Sequence, residues 1–248
     1  MIARFKSNIK IESHFPNIMK STVHRNYSVE QGGNTIATGW VKDLSDYHSL
    51  TGFKNSFNTK IVDRNGSFSF KGKEYHIGKN VRWGSEWPFY DSCGNHVMSI
   101  WEDNDKLQVE TKKLFSKNTI LKQRTIESQK IITNKNNEYK MYSRISLGKE
   151  GEYYVLYKDG SVVSTICVHT KLHNYGPTMD LYIEEDSEII LVTMLYCFML
   201  VMYNFYHTNT TIIQENGNIE EIRPKSKDYE LAKIDWNFIE GIKHEETK

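Results

Sequence analysis

The segment from Ile189 to Tyr206 constrains this sequence more than any other, because its 18 residues carry no formal charge in a chain that is otherwise polar. As an α-helix with a rise of about 1.5 Å per residue, it would be about 27 Å long, enough to cross a bilayer or to pass through the centre of a domain. Apolar residues such as Met194, Phe198 and Met202 cover every face of this helix. Such a helix needs apolar surroundings on all sides.

Two interpretations of this helix compete, a membrane span and a helix buried inside a domain. The acidic residues just before it, with Asp186 or Ser187 as the N-terminal cap, suit both interpretations. A membrane span normally has Lys or Arg close to one end. Here the nearest basic residues are Lys171 and Arg223, each more than a dozen residues away. Their distance favours the buried helix, and we expect no transmembrane span.

The chain before the helix repeats a hairpin signature, in which strand-forming residues flank a turn that contains Asp and Gly. Glycine supplies the positive φ that such turns require, and Asp or Asn bonds back to the local backbone. The three copies span residues 60–70, 87–101 and 153–166, with turns at 63–66, 91–95 and 158–160. Looser alternation over 105–149 indicates further antiparallel strands. An Asn-Gly turn at 216–217 indicates one more hairpin after the helix.

Successive hairpins and one helix that is apolar all round predict a mainly β fold, a closed antiparallel β-barrel whose strands pack around the helix. We predict an N-terminal extension over 1–58 that packs on the barrel, the barrel itself over 59–223 with its central helix at 187–207, and a tail over 224–248. Apolar residues at spacings of three and four predict a short amphipathic helix in the tail. These residues are Leu231, Ile234, Phe238 and Ile242.

The segment Phe89 to Val97, with a strand, an Asp-x-x-Gly turn and a second strand, resembles the tubby-like superfamily of tubby C-terminal domains, LURP-one-related proteins and phospholipid scramblases. The segments 153–166 and 180–188 follow in the order that this family has, so the resemblance covers about 60–222. It implies a twelve-stranded antiparallel barrel around one hydrophobic helix near the C-terminus. For tubby domains it also implies phosphoinositide binding by Lys and Arg on the barrel surface. Residues 1–60, 112–149 and the tail depart from the family pattern.

Basic residues are concentrated in one segment of a chain that is nearly neutral, with 32 Lys and Arg against 31 Asp and Glu. The segment 112–149 contains ten basic residues and two acidic ones, a difference of eight positive charges. Such a cluster suits an anionic phospholipid surface or an acidic protein partner, while solvated outward positions on strands are the alternative explanation. We do not expect a nucleic-acid ligand. The predicted anionic-ligand-binding residues are Lys112, Lys113, Lys117, Lys122 and Arg124.

Motifs for catalysis, cofactor binding or secretion are missing from the sequence. It has no Gly-x-Ser-x-Gly elbow, no phosphate-binding glycine loop and no CxxC pair. His169 and His173 are four residues apart, but their segment has the pattern of a strand and lacks the further ligands of a metal site. The three cysteines indicate free thiols in a reducing compartment, and the N-terminus lacks the apolar run of a secretory signal. We therefore expect no cofactor, no metal and no enzymatic activity.

These observations predict a non-enzymatic binding module of tubby-like type. Its barrel surface would recognise an anionic membrane surface or a protein partner, in the cytoplasm or peripherally at the membrane. The alternative is a regulatory protein-interaction factor with no lipid role. The heavy use of Lys, Asn and Ile indicates an AT-rich genome, bacterial or phage, so this factor would be associated with a phage or its host.

Overall fold

Twelve antiparallel strands form a closed barrel. The structure, a computed structural model, describes residues 1–13, 20–47, 59–78, 86–115, 118–145, 152–169, 178–203, 222–224 and 235–246. The strands of the barrel are β1 Ile2–Ser13, β2 Lys20–Gln31, β3 Asn34–Tyr47, β4 Thr59–Phe70, β5 Lys73–Ile77, β6 Glu86–Asp91, β7 His96–Phe115, β8 Asn118–Thr133, β9 Glu138–Ile145, β10 Glu152–Lys158, β11 Ser161–His169 and β12 Thr178–Ile183. A short strand β13, Ile222–Pro224, pairs with β7. Among the described residues, two helices follow the barrel strands, α1 Ser187–Tyr203 and α2 Trp236–Glu246.

Every strand of the barrel pairs with its neighbour in the chain, and the ring closes where β1 pairs with β12. In that pair Ile2 lies opposite Tyr182 and Phe5 opposite Met179, and the Met1 amino group donates to the Ile183 carbonyl oxygen at 2.7 Å. The segment 1–58, which the sequence predicted to be an extension, thus contributes β1, β2 and β3 to the barrel. A separate N-terminal extension is not confirmed.

Tight turns join the strands at one end of the barrel, and two of the predicted hairpin turns are among them. The predicted turns at 91–95 and 158–160 are confirmed between β6 and β7 and between β10 and β11. The predicted turn at 63–66 is wrong, because these residues lie within β4, where Gly66 pairs with Val41 of β3. The chain turns instead at Lys71 and Gly72, which have φ angles of 49° and 72°. The predicted hairpin around 216–217 lies outside the described residues.

One buried apolar cluster contains side chains of all twelve strands together with those of α1. Phe198 of α1 stacks on Phe68 of β4 with ring centroids 5.7 Å apart, and Tyr196 lies 5.9 Å from Tyr154 of β10. The Tyr196 hydroxyl also donates to Gln129 Oε1 of β8 at 2.6 Å. Residues 192–201 of α1 are all buried. The apolar character of α1 on every face is thus matched by burial on every face.

The two ends of α1 are attached to different strands. At its start, Asp186 Oδ1 accepts hydrogen bonds from the backbone N–H groups of Glu188 and Ile189 at 2.8 and 3.0 Å, which confirms Asp186 as the N-terminal cap. Towards its end, Arg25 of β2 donates to the Val201 carbonyl oxygen at 3.4 Å. No helix among the described residues has the length and apolar content that a membrane span needs.

Glu188 connects the first turn of α1 to the turn between β8 and β9. Its Oε1 accepts hydrogen bonds from Asn137 Nδ2 at 2.8 Å, Thr133 Oγ1 at 3.0 Å and the Tyr139 hydroxyl at 3.2 Å, while Lys135 Nζ lies 3.1 Å from Oε2. Burial acts to raise the pKa of Glu188, but the hydrogen bonds from Asn137, Lys135 and Thr133 hold it below its ordinary value. The carboxylate therefore stabilises the fold in its ionised form.

The helix α2 confirms the short amphipathic helix predicted for the tail. Asp235 Oδ1 accepts a hydrogen bond from the backbone N–H of Phe238 at 3.0 Å and caps its start. Ile239 and Ile242 are buried, and α2 packs against β1 and β12. Two residues of the predicted pattern, Leu231 and Ile234, lie outside the described residues.

Replacing Leu195 with Asp should prevent folding, because an unpaired buried charge costs several kcal/mol and Leu195 is fully buried. The matched change Leu191→Asp, one turn earlier at a half-buried position, should cost less. Far-UV circular dichroism and urea denaturation would measure both. Phe198→Ala, which should cost about 3–5 kcal/mol, gives a variant that can still be measured if Leu195→Asp does not fold. Purified protein that needs detergent to stay in solution would contradict the buried helix.

Replacing Glu188 with Gln should lower the free energy of unfolding by about 1–2 kcal/mol at pH 7, since its four contacts would lose a charged partner. The folded-state pKa of Glu188 is lowered. The stabilisation that Glu188 gives the fold is therefore complete above its unfolded-state pKa of about 4.3. It is lost as the pH falls through the folded-state pKa. The difference from wild type should shrink below about pH 4. Urea denaturation from pH 3 to 7 would test this, with Glu185→Gln at an exposed position as the control. A difference that does not change with pH would contradict this role.

Candidate functional site

The predicted basic residues lie in the hairpin of β7 and β8. Lys112 and Lys113 are on β7, paired with Leu121 and Ile120, while Lys122 and Arg124 are on β8, paired with Thr111 and Val109. The register thus brings four of the five residues into one short length of paired strands. The fifth, Lys117, lies outside the described residues, and so do the side chains of the other four.

This part of the hairpin continues past the strands that flank it in the barrel. Among the described residues, β6 pairs with β7 only as far as Trp101, and β9 pairs with β8 only as far as Ser128. Beyond those positions β7 and β8 pair with each other, and β13 pairs with β7 at 109–111. At about 3.3 Å per residue, Lys112 lies up to about 36 Å along β7 from Trp101. We call residues 102–127 the β7–β8 arm.

The β7–β8 arm points away from the end of the barrel where the tight turns lie. The strand β7 begins at the turn over 92–95 and runs from there towards Phe115. In an antiparallel barrel, consecutive turns alternate between the two ends. The pair of Phe115 and Asn118 and the turn at Lys71 and Gly72 are therefore towards opposite ends of the barrel strands.

A second polar group on the outer face joins Glu86 of β6 to Ser99 and His96 of β7. The Ser99 hydroxyl donates to Glu86 Oε1 at 2.7 Å, and His96 Nε2 lies 2.8 Å from Ser99 Oγ. Tyr90 packs beside His96 and stacks on His76, with ring centroids 5.8 and 6.0 Å apart. In this group Ser99 lies between Glu86 and His96. In a catalytic triad the histidine lies between the serine and the acid, so that it can take the proton of the serine. Because Ser99 is also buried, the group supports the sheet and does not form a nucleophile.

An ion-paired group lies on the outer face of β1, β11 and β12. Arg4 Nε donates to Asp180 Oδ1 at 2.6 Å, and His169 Nε2 lies 2.6 Å from Asp180 Oδ2. Burial acts to raise the pKa of Asp180, but the hydrogen bonds from Arg4 and His169 hold it below its ordinary value. The same bond to Asp180 raises the pKa of Arg4. The carboxylate is thus occupied by two donors within the protein.

The described residues contain no group of three or more His, Cys, Asp or Glu side chains that could hold a metal ion. His169 and His173 are four residues apart in the sequence. His169 contacts Asp180, and His173 lies outside the described residues. Cys93 is exposed in the turn after β6, where Asp91 accepts the backbone N–H of Cys93 at 3.0 Å, while Cys167 and Cys197 are buried. Asp91 therefore shapes the turn that carries Cys93.

The outer face of β12 is partly covered by α2. Lys243 Nζ lies 5.7 Å above the ring of Tyr182, and Trp236 contacts Tyr153 of β10 with ring centroids 5.8 Å apart. Trp236 itself remains 50% exposed. This helix therefore limits which parts of the outer face can reach a ligand.

Comparisons of the chain with protein-family models, with curated proteins and with solved structures found no match. The polar groups around Asp180 and Ser99 were not predicted from the sequence. Alternation indicates which residues of a strand share a face, but it does not indicate which residues of another strand lie opposite. The function therefore has to be argued from the barrel and its surface.

Replacing Asp180 with Asn should lower the free energy of unfolding by about 1 kcal/mol at pH 7. The change should be small because Arg4 and His169 are partly exposed and solvent screens their interaction with the carboxylate. The folded-state pKa of Asp180 is lowered. The stabilisation that its carboxylate gives the fold is therefore present at pH values above its ordinary pKa and is lost as the pH falls through the folded-state pKa. A double-mutant cycle with Arg4→Gln, followed by urea denaturation, would isolate the pair. A coupling energy of zero would show that the pair does not stabilise the fold.

Proposed function

We propose that this protein is a non-enzymatic binding module of tubby-like type, which recognises an anionic membrane surface through the β7–β8 arm. The observation that carries this proposal is the register of β7 and β8, whose alternation assigns positions 113, 122 and 124 to one face of the paired strands and position 112 to the other. The arm, residues 102–127, contains six basic residues and five acidic ones, but its outer part, 111–126, contains five basic residues and no acidic one. Each basic residue near an anionic bilayer contributes about 1 kcal/mol of binding.

The tubby-like part of the proposal requires α1 to be the central helix of the barrel. In support, α1 contacts β4 through Phe68 and β10 through Tyr154, and these strands are six places apart in a ring of twelve. It also contacts β2 through Arg25 and β8 through Gln129, which are again six places apart. Contacts with two pairs of opposite strands, β4 with β10 and β2 with β8, support a position of α1 between them. The barrel interior is then filled, which directs recognition to the outer surface.

Sedimentation with vesicles of phosphatidylcholine, with and without phosphatidylserine, would test the membrane proposal. Wild-type protein should sediment only with the anionic vesicles, and less at high salt. The double variant Lys113→Glu, Lys122→Glu, at positions on one face of the paired strands, should bind at least about thirtyfold more weakly, at about 1 kcal/mol for each lysine lost. The control Lys71→Glu, Lys73→Glu makes the same change in net charge at the tight-turn end and should bind like wild type.

Two outcomes would contradict the membrane proposal. The first is equal binding to neutral and anionic vesicles. The second is equal weakening by the two double variants, which would indicate a general effect of net charge. If the protein binds no vesicle but retains an acidic protein in pull-down experiments, and only the variant with Lys113→Glu and Lys122→Glu loses it, the alternative function as a protein-interaction factor is supported instead.

A further inference from the structure

The helix α2 crosses the outer face of the sheet from β10 to β12. Its first residue, Trp236, contacts Tyr153 of β10 with ring centroids 5.8 Å apart. Near its end, Lys243 Nζ lies 5.7 Å above the ring of Tyr182 of β12. The two tyrosines are two strands and two residues apart, a distance of about 12 Å, and the helix from Trp236 to Lys243 spans about 11 Å. Because β11 lies between β10 and β12, α2 passes over β11.

Two polar side chains of β11, Cys167 and Thr165, lie along this path. Cys167 is opposite Tyr153 in the register, and Thr165 is opposite Tyr182. The residue between them, Ile166, belongs to the apolar core, so Cys167 and Thr165 are on the outer face. Cys167 is nevertheless only 5% exposed and Thr165 is fully buried. Among the described residues, α2 is the helix that passes above both.

Three features make α2 a weakly held helix. It has 11 residues, and an isolated helix of that length is marginal in water, so α2 depends on its contacts with the barrel. Ile239 and Ile242 are buried and Phe238 is half-buried, whereas the other described side chains of α2 are exposed. Gly241 lies in the interior of the helix, where glycine is less favourable than alanine.

The Thr165 hydroxyl also disfavours the covered arrangement. Its Oγ1 is buried and has no hydrogen-bond partner among the described residues, and a buried polar group without a partner lowers stability. Water would supply that partner once α2 leaves the sheet. The ring closure between β1 and β12 and the packing of α1 against the strands do not involve α2. We propose that α2 is a strap that detaches while the barrel stays folded, and that its detachment exposes Cys167 to modification by small disulfides.

The modification is a thiol–disulfide exchange. With α2 detached, the Cys167 thiol loses its proton to water and the thiolate attacks one sulfur of the small disulfide. A new S–S bond joins Cys167 to one half of the reagent, the original S–S bond breaks, and the other half leaves as a thiolate. The small disulfide is the oxidant. Because Cys167 is almost completely covered when α2 is in place, the attached group would hold the strap away from the sheet.

The two other cysteines provide internal references for this reaction. Cys93 is exposed in the turn after β6, so it should react without any opening of the structure. Cys197 is fully buried in the apolar cluster that α1 shares with the strands, so it should react only when the barrel unfolds. Cys167 should react more slowly than Cys93 and faster than Cys197.

Treatment of the protein with the aromatic disulfide dithiobis(nitrobenzoate), followed by peptide mass spectrometry, would measure the three rates. When opening and closing are fast, the rate at Cys167 is proportional to the fraction of molecules with α2 detached. Ile239→Ala should raise that rate at least about tenfold and leave Cys197 unchanged. The control Glu245→Ala, at an exposed position of the same helix, should react like wild type.

The variant Gly241→Ala tests the strap in the opposite direction. A Cβ added at Gly241 meets no atom within 4 Å, so the substitution stabilises the helix without a new contact. It should slow the reaction at Cys167 about two- to fivefold. This variant keeps the test valid if Ile239→Ala fails to fold.

Hydrogen exchange would test whether the modified thiol holds α2 off the sheet. Protein modified at Cys167 should exchange the backbone amides of α2 faster than unmodified protein, while the amides of the barrel strands exchange as before.

Four results would overturn the proposal. They are equal rates at Cys167 and Cys197, a rate at Cys167 equal to that at Cys93, rates at Cys167 that neither α2 variant changes, and unchanged exchange of α2 after modification. No vesicle is present in these experiments, so the strap and the membrane proposal succeed or fail separately.

Discussion

The packing of one largely apolar helix against the inner side chains of a closed sheet is the interaction on which the rest of this structure depends. About eight strands make a barrel that side chains of the strands can fill by themselves, whereas twelve leave a wider interior. In its proposed central position, α1 occupies that space with a surface that is apolar in every direction. Neither partner can bury its apolar surface without the other, since α1 shares one buried cluster with every strand.

Closure of the sheet makes the ends of the chain dependent on each other. The first strand, β1, pairs with β12, and the two segments are more than 170 residues apart in sequence. Contacts over such distances form late, because a long loop must close before they do. Loss of β1 would also open the ring and expose the edges of two strands. The N-terminal segment is therefore part of the barrel and is not an accessory to it.

With α1 in the proposed central position the interior is filled, and recognition would take place on the outer surface. The β7–β8 arm carries basic residues and is proposed to meet an anionic surface. The carboxylate of Asp180, by contrast, is already matched within the protein by Arg4 and His169.

The sequence by itself determined the features that depend on neighbours along the chain. The apolar helix, a cap at Asp186 or Ser187, the turn at 91–95 and the clustering of basic residues along the chain are all of this kind, because helix periodicity, capping and turn chemistry act over a few residues. Tertiary structure alone decided that β1 closes the ring, that the turn after β4 lies at Lys71 and Gly72, and that Asp180 meets Arg4. These features depend on strand register, and alternation along a strand does not specify which strand lies beside it.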